Sequence, residues 1–596
     1  MKNIFKTFIS VKNPHRIYLY CVGIGVVMGF ISVGIAKTLH FFESNFLDGL
    51  SGTMPTVWSE MFHLGSFGIF FLPLIGGLIV TCLAKKFPEI VAAGTNDLIG
   101  SFHEKEGRMR GAVAPALAVA SVAALATGAS AGKEGPTAVI GGVVGSTFSR
   151  WFGLGPRARR TLLLAGAAAG LGAIFRAPLG GAITAVEIPY KEDFEGESLI
   201  PCIIASISAY IVAIIFWEEG HLFKADAMMI NNTSELWIYA FLGVVTVVLG
   251  RLFIKMLILI QRFTQKIPLD RTWHPLVGSV LLGALILICP SVLGTGFSKI
   301  QEAISGTLFI NGNVMGLVLC LVLFVIIKML ATGITVGSGL AGGLFGPSFV
   351  IGGMTGAIVG VLAQYYFPDI VASPVPFVVV GMGAFFAGVA HAPLASVIMV
   401  VELTGSYELF PAILVAVAVG IALSGKDTIY PRQLKNKFDS PAHLWDMKKD
   451  ILQNIKVKDL AGSIRSQAVV ENDITFGELE RIGKQTHASD FIVVDKDRKY
   501  QGYVSLRHSD VDHIISKFIV ITDILSNDVE TTFWEESLSD VMEKILRSDI
   551  DKIAVVDNEH NLKGYIRYRD ILDTYIREVA SSKSLKNKTN ISKSSA

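Results

Sequence analysis

Long apolar stretches recur along the first three quarters of the chain, and charged residues return at ordinary density only after about residue 440. A helix needs about 20 apolar residues to cross a bilayer core of about 30 Å. Several stretches are shorter and interrupted by Gly, which is typical of broken helices that line a buried site. The stretches span residues 17–42, 65–85, 112–131, 137–153, 161–187, 199–217, 236–260, 275–294, 314–333, 348–364, 374–404 and 410–424.

Composition agrees with a polytopic membrane protein that carries a soluble α/β part. The 596 residues have a mean hydropathy of +0.54, and only 17% of them are charged. The net charge of +2 gives no reason to expect a nucleic-acid partner. The five cysteines show neither metal-ligand nor disulfide spacing, so we expect no metal site. No feature indicates enzymatic turnover or a bound cofactor.

The first residues predict the orientation in the membrane. Lys2, Lys6, Lys12 and Arg16 form a basic leader before the first apolar stretch, which places the N-terminus in the cytoplasm by the positive-inside rule. With the soluble part also cytoplasmic, the number of crossings is even. Two similar halves with an odd number of crossings each would then be inverted. We expect a multi-pass protein of the cell (inner) membrane.

Two blocks repeat within the apolar part. Ala177-Pro178-Leu179-Gly180, followed by Glu187, reappears 215 residues later as Ala392-Pro393-Leu394-Ala395, followed by Glu402. Gly135–Gly142 reappears 211 residues later as Gly346–Gly353. Each half therefore presents a Gly-Pro helix start, as in transporters built from repeats. For the two equivalent glutamates we expect a structural role, with hydrogen bonds from backbone N–H groups.

The strongest candidate for chemistry is Glu134, in Gly132-Lys133-Glu134-Gly135-Pro136. A carboxylate at membrane depth is costly and marks function by default. Pro fits the first turn of a helix, and the free N–H groups there attract an anion. A tethered carboxylate at such a place competes with a permeant anion.

These residues resemble the CLC chloride channels and chloride/proton antiporters. The similarity rests on the Glu134 motif, on Gly343-Leu344-Phe345-Gly346-Pro347, on the paired Ala-Pro-Leu blocks and on Tyr430, and it covers roughly residues 17–440. It implies a homodimer with one anion pathway per subunit. It also implies that Glu134 is the gate, and that a central anion is held by the backbone amides of Leu344 and Phe345 and by the hydroxyl of Tyr430.

Two positions depart from that family. Where it has Gly-Ser-Gly-x-Pro, this chain has Ala93 in the serine position when Gly94 is aligned, and Thr95 could offer a hydroxyl from a shifted position. We therefore expect weaker chloride binding, and the choice among chloride, nitrate and fluoride stays open. Ile188 stands where proton-coupled prokaryotic members carry an inner glutamate. Glu192 or Asp193 could substitute through water, or could be solvated loop charges.

The soluble part repeats as well. Phe491–Asp495 followed by Gly502–Val504 reappears 62 residues later as Ile553–Asp557 followed by Gly564–Ile566. Tandem units of this kind resemble a pair of CBS domains, placed at 455–517 and 518–580.

Many CBS pairs bind adenine nucleotides through a Ser or Thr and an Asp three residues later. Here Ser505 is followed by His508, and Asp570 is preceded by Arg567, so neither motif is complete. A composite nucleotide pocket with Ser505 and Asp570 is one alternative, and a dimerisation module without nucleotide is another. We favour the interpretation that the Arg567 side chain blocks nucleotide binding.

The resulting prediction is an α-helical polytopic membrane protein with two inverted repeats and broken helices, joined to a cytosolic α/β CBS pair. The membrane part spans 17–440, with repeats at about 65–217 and 236–430, between a cytosolic segment 1–16 and a linker 441–454; a disordered tail covers 581–596. Because Ile188 cannot relay a proton, we expect a passive chloride channel. A proton-coupled chloride antiporter is the alternative, and a CBS-regulated cation transporter is a remote one.

Overall fold

The computed structural model describes residues 16–42, 70–91, 93–217, 220–225, 228–230, 232–309, 313–443, 452–463, 468–486, 488–506, 519–526, 530–547 and 550–578. The chain divides into two compact units, Met1–Ala442 and His443–Ala596, close to the predicted end of the membrane part. The predicted tail 581–596 and nearly all of the predicted N-terminal segment lie outside the described residues.

The first unit is helical. Among the described residues, seven helices are long and apolar enough to cross a membrane. Shorter helices lie between them, in agreement with the predicted broken helices. The helices are α1 (Arg16–Phe42), α2 (Phe71–Lys86), α3 (Thr95–Glu104), α4 (Val113–Ala126), α5 (Glu134–Trp151), α6 (Pro156–Phe175), α7 (Pro178–Glu187), α8 (Gly196–Phe216), α9 (Glu235–Gln265), α10 (His274–Ile288), α11 (Phe297–Ile304), α12 (Val314–Gly337), α13 (Phe345–Tyr366), α14 (Val375–Ala390), α15 (Pro393–Thr404) and α16 (Phe410–Leu423).

The sequence repeat is also a repeat of packing. Helix α5 packs against α6, and α13 packs against α14. A side chain on Gly166 would overlap the carbonyl of Gly141, and a side chain on Gly381 would overlap the carbonyl of Gly352. The equivalent residues Arg176 and His391 both have positive φ, 57° and 51°, and end α6 and α14. Each half thus turns at the same place into a second, short helix.

The two short helices, α7 and α15, are joined by hydrogen bonds from backbone N–H groups to carboxylates. Glu187, the last residue of α7, accepts hydrogen bonds from the N–H groups of Leu394 (3.1 Å) and Ala395 (2.7 Å) at the start of α15. Glu402 of α15 accepts them from Leu179 (3.2 Å) and Gly180 (2.7 Å) at the start of α7. The first turn of a helix has N–H groups without intrahelical acceptors, and a carboxylate satisfies them well. The predicted structural role of both glutamates is confirmed.

The second unit contains two similar β-hairpins. Strands β1 (Val469–Glu471), β2 (Asp490–Val494) and β3 (Tyr500–Ser505) form one sheet, with β1 parallel and β3 antiparallel to β2. Strands β4 (Lys552–Val556) and β5 (Leu562–Arg567) form the other. Helices α17 (Phe476–Thr486) and α18 (Leu538–Arg547) precede the hairpins, and residues 568–578 are helical. The hairpin turns pair with each other through Lys499 and Asn561, so the two halves meet at equivalent positions.

We expect Glu402→Ala to destabilise the membrane unit, because two N–H groups at the start of α7 would lose a charged acceptor. Hydrogen bonds to charged groups contribute about 1.5–3 kcal/mol. Chemical unfolding of the purified protein in detergent measures the change. Glu408→Ala is the matched control, since Glu408 is exposed; equal unfolding of the two variants would argue against the capping role.

Candidate functional site

The two Gly-Pro helix starts meet in the middle of the membrane unit. The N–H of Gly132 donates to the carbonyl of Gly343 (2.8 Å), and the N–H of Gly343 donates to the carbonyl of Gly132 (2.7 Å). These residues are 211 apart, which is the offset of the repeat. A Cβ atom on Gly343 would stand 2.6 Å from the nitrogen of Gly135, so no side chain fits there. The starts of α5 and α13 are therefore held against each other by backbone alone.

Glu134 lies at this junction. It is the first residue of α5, it is fully buried, and its two carboxylate oxygens have no hydrogen-bond partner among the described residues. Oε2 lies against Gly132 and is 3.3 Å from where a Cβ of Gly346 would stand, so the carboxylate lies between the loop before α5 and the start of α13. The neighbouring Lys133 is half-buried and acts on Glu134 electrostatically, while Pro136 is buried in the first turn. A buried carboxylate without a partner is costly, which points to function.

The opposite helix start offers backbone donors. Leu344 precedes α13 and Phe345 begins it, so their N–H groups belong to a turn that lacks intrahelical acceptors. The Phe345 ring is fully buried and packs on Phe386, with ring centroids 4.7 Å apart, and its centroid lies 6.2 Å from that of Tyr430. Packing of the ring leaves the N–H groups available, and the positive end of the helix favours an anion there.

Two hydroxyl groups approach the same junction. Thr95 begins α3, and its Oγ1 lies 3.8 Å from where a Cβ of Gly135 would stand. The Tyr430 hydroxyl approaches that of Thr95, is buried, and has no hydrogen-bond partner within the described part of the chain. Ala93 is buried and Gly94 precedes the helix, so both contribute backbone only. The Thr95 hydroxyl therefore lies near this junction, and its role as the shifted hydroxyl stays a prediction.

A small apolar cavity is lined by Thr95, Ile188 and Pro189. It has room for about one water molecule. Its remaining lining is aliphatic and includes Leu98, Ile99, Ala138, Leu164 and Ala185. Ile188 and Thr95 thus line the same small cavity, and Ile188 offers no proton there.

Of the two acidic residues that could have replaced the missing inner acid, Glu192 is exposed and Asp193 is half-buried. Glu192 is 63% exposed and pairs with Lys435 at 3.5 Å. Asp193 accepts hydrogen bonds from the backbone N–H groups of Phe194 (2.8 Å) and Lys437 (3.1 Å). Neither lines the cavity, which agrees with the interpretation of both as loop charges.

In the C-terminal unit the two half-motifs are engaged within the protein. Ser505 donates to the carboxylate of Asp490 at 2.6 Å. Arg567 binds both carboxylate oxygens of Asp570, at 3.0 Å and 2.8 Å, and this hydrogen bonding raises the pKa of Arg567. His508 lies outside the described residues. An Asp570 held in this way is not free to bind a ribose, which supports the predicted block.

The arrangement defines a class: an integral membrane protein in which two inverted helix starts, a buried carboxylate and two hydroxyls surround a place suited to an anion. A model of the voltage gated chloride channel family matches residues 76–425, and a CBS domain model matches residues 521–577. The chain therefore belongs to the voltage-gated chloride channel (CLC) family and carries a C-terminal CBS pair.

Relatives and solved structures agree with this assignment. The H(+)/Cl(-) exchange transporter ClcA of Vibrio cholerae is 29% identical over 454 residues, which cover 73% of this chain and 94% of that protein. A slow cyanobacterial Cl-/H+ antiporter shares the fold with a TM-score of 0.59 and 24% identity, covering 70% of this chain and 96% of the other. The match to a eukaryotic CLC transporter includes 93% of this chain and 98% of that protein, with a TM-score of 0.53 and 19% identity.

Removal of the Tyr430 hydroxyl is expected to weaken chloride binding about tenfold to a hundredfold. The reason is the loss of one hydrogen bond to an anion, which contributes about 1.5–3 kcal/mol. Calorimetry on Tyr430→Phe measures the change, and Tyr365→Phe is the control, since Tyr365 is 59% exposed. Unchanged affinity in Tyr430→Phe would place the anion elsewhere.

We expect that ATP, ADP and AMP do not stabilise the C-terminal unit of the full-length protein against heat, because Arg567 is hydrogen-bonded to both carboxylate oxygens of Asp570. A ligand at 100 times its dissociation constant would stabilise the unit by about 2.7 kcal/mol, which a melting curve detects. Arg567→Ser is expected to gain such a shift. A saturable shift in the wild type that Asp570→Ala abolishes would refute the block.

Proposed function

We propose that this protein exchanges chloride for protons across the membrane, and that Glu134 carries both the gate and the proton. The observation that carries the proposal is the buried carboxylate of Glu134, without a hydrogen-bond partner among the described residues, at the meeting point of two helix starts. When ionised, it occupies a place that suits an anion; once protonated, it no longer competes. Binding of the proton and binding of the anion are thereby linked.

The groups around the proposed anion site are suited to transport. They are backbone N–H groups of Leu344 and Phe345 and the hydroxyls of Thr95 and Tyr430, all of which carry partial charge. A full cation at the centre would hold the anion too tightly to release it, whereas partial charges permit both entry and exit. This supports chloride, or an anion of similar size, as the cargo.

The relatives favour exchange over a passive channel. The Vibrio cholerae protein is named an H(+)/Cl(-) exchange transporter, and the cyanobacterial structure is that of a Cl-/H+ antiporter. The passive channel expected from Ile188 is not supported by these similarities, and the alternative takes its place. Family membership also removes the reason for a cation transporter.

We further infer that the protein is a homodimer in the cell (inner) membrane with both termini in the cytoplasm. The apolar face of α8 is exposed within one chain, which suits contact with lipid or with a second subunit. Its exposed members are Ile200, Ile207, Ile211 and Ile215. The basic leader before α1 supports the orientation.

In liposomes, a chloride gradient is expected to drive protons uphill through the wild type. Glu134→Gln should abolish this coupling and leave an anion flux that no longer depends on pH, because the competing carboxylate can no longer ionise. Parallel recording of chloride and pH measures both effects, and Glu104→Gln is the control, since Glu104 is exposed. Coupling that survives in Glu134→Gln would show that the gate lies elsewhere.

A further inference from the structure

Behind Ile188 lies a buried polar cluster that the sequence analysis did not single out. The Tyr190 hydroxyl donates to Oε1 of Glu195 at 2.6 Å. The ring of His103 lies 5.2 Å from that of Tyr190, and its Nδ1 is 2.8 Å from Oγ of Ser440. Tyr190 and Ser440 are fully buried, and His103 and Glu195 are each 3% exposed. The cluster consists of His103, Tyr190, Glu195 and Ser440.

This cluster adjoins the apolar cavity through Pro189. Nε2 of His103 is 3.0 Å from the carbonyl oxygen of Pro189, and both Pro189 and Ile188 line the cavity. The N–H of Glu195 donates to the carbonyl of Val186 at 2.8 Å, which folds the residue back under the last turn of α7. The polar cluster and the cavity that reaches Thr95 therefore adjoin at Ile188 and Pro189.

The charges around the cluster come from several elements. Arg160 of α6 acts electrostatically on both Tyr190 and Glu195, and its Nε donates to the carbonyl of Phe102 at 3.0 Å. Asp193 acts on Tyr190 from the same loop, and the buried thiol of Cys202 on α8 faces Glu195. Glu106 faces Arg160 from the loop after α3. The guanidinium of Arg160 is therefore a cation that acts on the carboxylate of Glu195.

Carboxylate, phenol and imidazole are the side chains that proteins use to move protons. A carboxylate is rarely kept almost fully buried unless it is paired or used. In contrast to Glu192 and Asp193, Glu195 is inside the protein and is hydrogen-bonded to Tyr190, whose neighbours reach the cavity wall. Among the described residues, the two buried acids nearest to Ile188 in sequence are Glu187 and Glu195. Glu187 is already engaged as a cap on α15.

We propose that Glu195, with Tyr190 and His103, is the inner proton relay of this exchanger, in the place where Ile188 cannot serve. A proton taken up by Glu195 passes through the hydroxyls of Tyr190 and Ser440 to His103. A water molecule that enters the cavity beside Pro189 and Ile188 then accepts it from the imidazole and carries it past Thr95 toward Glu134. The inference rests on the proposed chloride/proton exchange. Since the cavity lining is aliphatic, water enters it only transiently, so the proton step is slow relative to the anion step.

The test is the ratio of proton to chloride flux of the full-length protein in liposomes, with both ions recorded in the same vesicles. Glu195→Gln is expected to lower this ratio at least about tenfold, since a positioned proton donor contributes about 10²–10⁴-fold to proton transfer. Tyr190→Phe lowers the ratio in the same direction. The matched control Glu192→Gln, on the exposed part of the same loop, keeps the wild-type ratio.

Two further variants separate a relay from a merely structural residue. Glu195→Asp retains an acid and is expected to recover part of the ratio. Ile188→Glu in the Glu195→Gln background places an acid directly on the cavity and is expected to restore coupling, whereas a lost structural contact would not be restored by a change at another position.

The outcomes distinguish the two proposals. A wild type that moves no protons uphill overturns the exchange function itself. A wild type that couples, together with a Glu195→Gln variant of unchanged ratio, overturns the relay alone. If Glu195→Gln shows no chloride flux because it does not fold, Tyr190→Phe decides, since it removes one hydroxyl: a reduced ratio supports the relay and an unchanged ratio refutes it.

Discussion

The paired hydrogen bonds between Gly132 and Gly343 are the constraint on which the membrane unit depends. They join equivalent residues of the two repeats, so the axis that relates the halves passes between them. The contact is made by backbone alone, and the neighbouring positions must be glycine for the chains to approach. Because the two loops are joined, the N-terminal ends of α5 and α13, which are the positive ends of their dipoles, lie close to each other. Other contacts repeat the symmetry: Gly166 and Gly381 set the helix crossings, and Glu187 and Glu402 exchange caps between the halves.

The candidate functional group lies at a position where the two repeats differ. Glu187 and Glu402 are equivalent and each is fully engaged by two N–H groups, which accounts for both as structural residues. Glu134 has Phe345 as its equivalent, and its carboxylate lacks a partner in the described part of the chain. The same frame therefore presents an ionisable group from one half and a packed aromatic ring from the other. A site with one charge and several partial charges can be occupied either by its own carboxylate or by an anion, and we take this alternative to be the basis of exchange.

Much of this was predictable from the sequence because it lies in local patterns. The repeat offsets fixed which residues are equivalent, and a charge within a long apolar run singled out Glu134. The capping role of Glu187 and Glu402 followed from their equivalence. Other features have no local signal. Lys328 is fully buried and donates to the carbonyls of Val292 (3.0 Å) and Gly294 (2.8 Å), a contact between residues more than 30 positions apart. The cluster around Glu195 likewise joins residues 103, 190, 195 and 440, and only the folded chain shows that Glu195 is buried whereas Glu192 is exposed.

The expectation of a passive channel shows why one position is a weak basis for mechanism. Ile188 cannot bind a proton, and that statement remains true in the structure. It does not follow that the protein lacks a proton route, because a route is defined by positions in space and not by one residue in a sequence pattern. The cavity that ends at Ile188 also touches Pro189, and the carbonyl of Pro189 is bound by His103. A carboxylate seven positions after Ile188 returns to the same place because its N–H is bound to Val186. In the relay that we propose, an acid from the loop that folds back beneath α7 takes the place that Ile188 cannot fill, and the aliphatic cavity makes coupling slower without removing it.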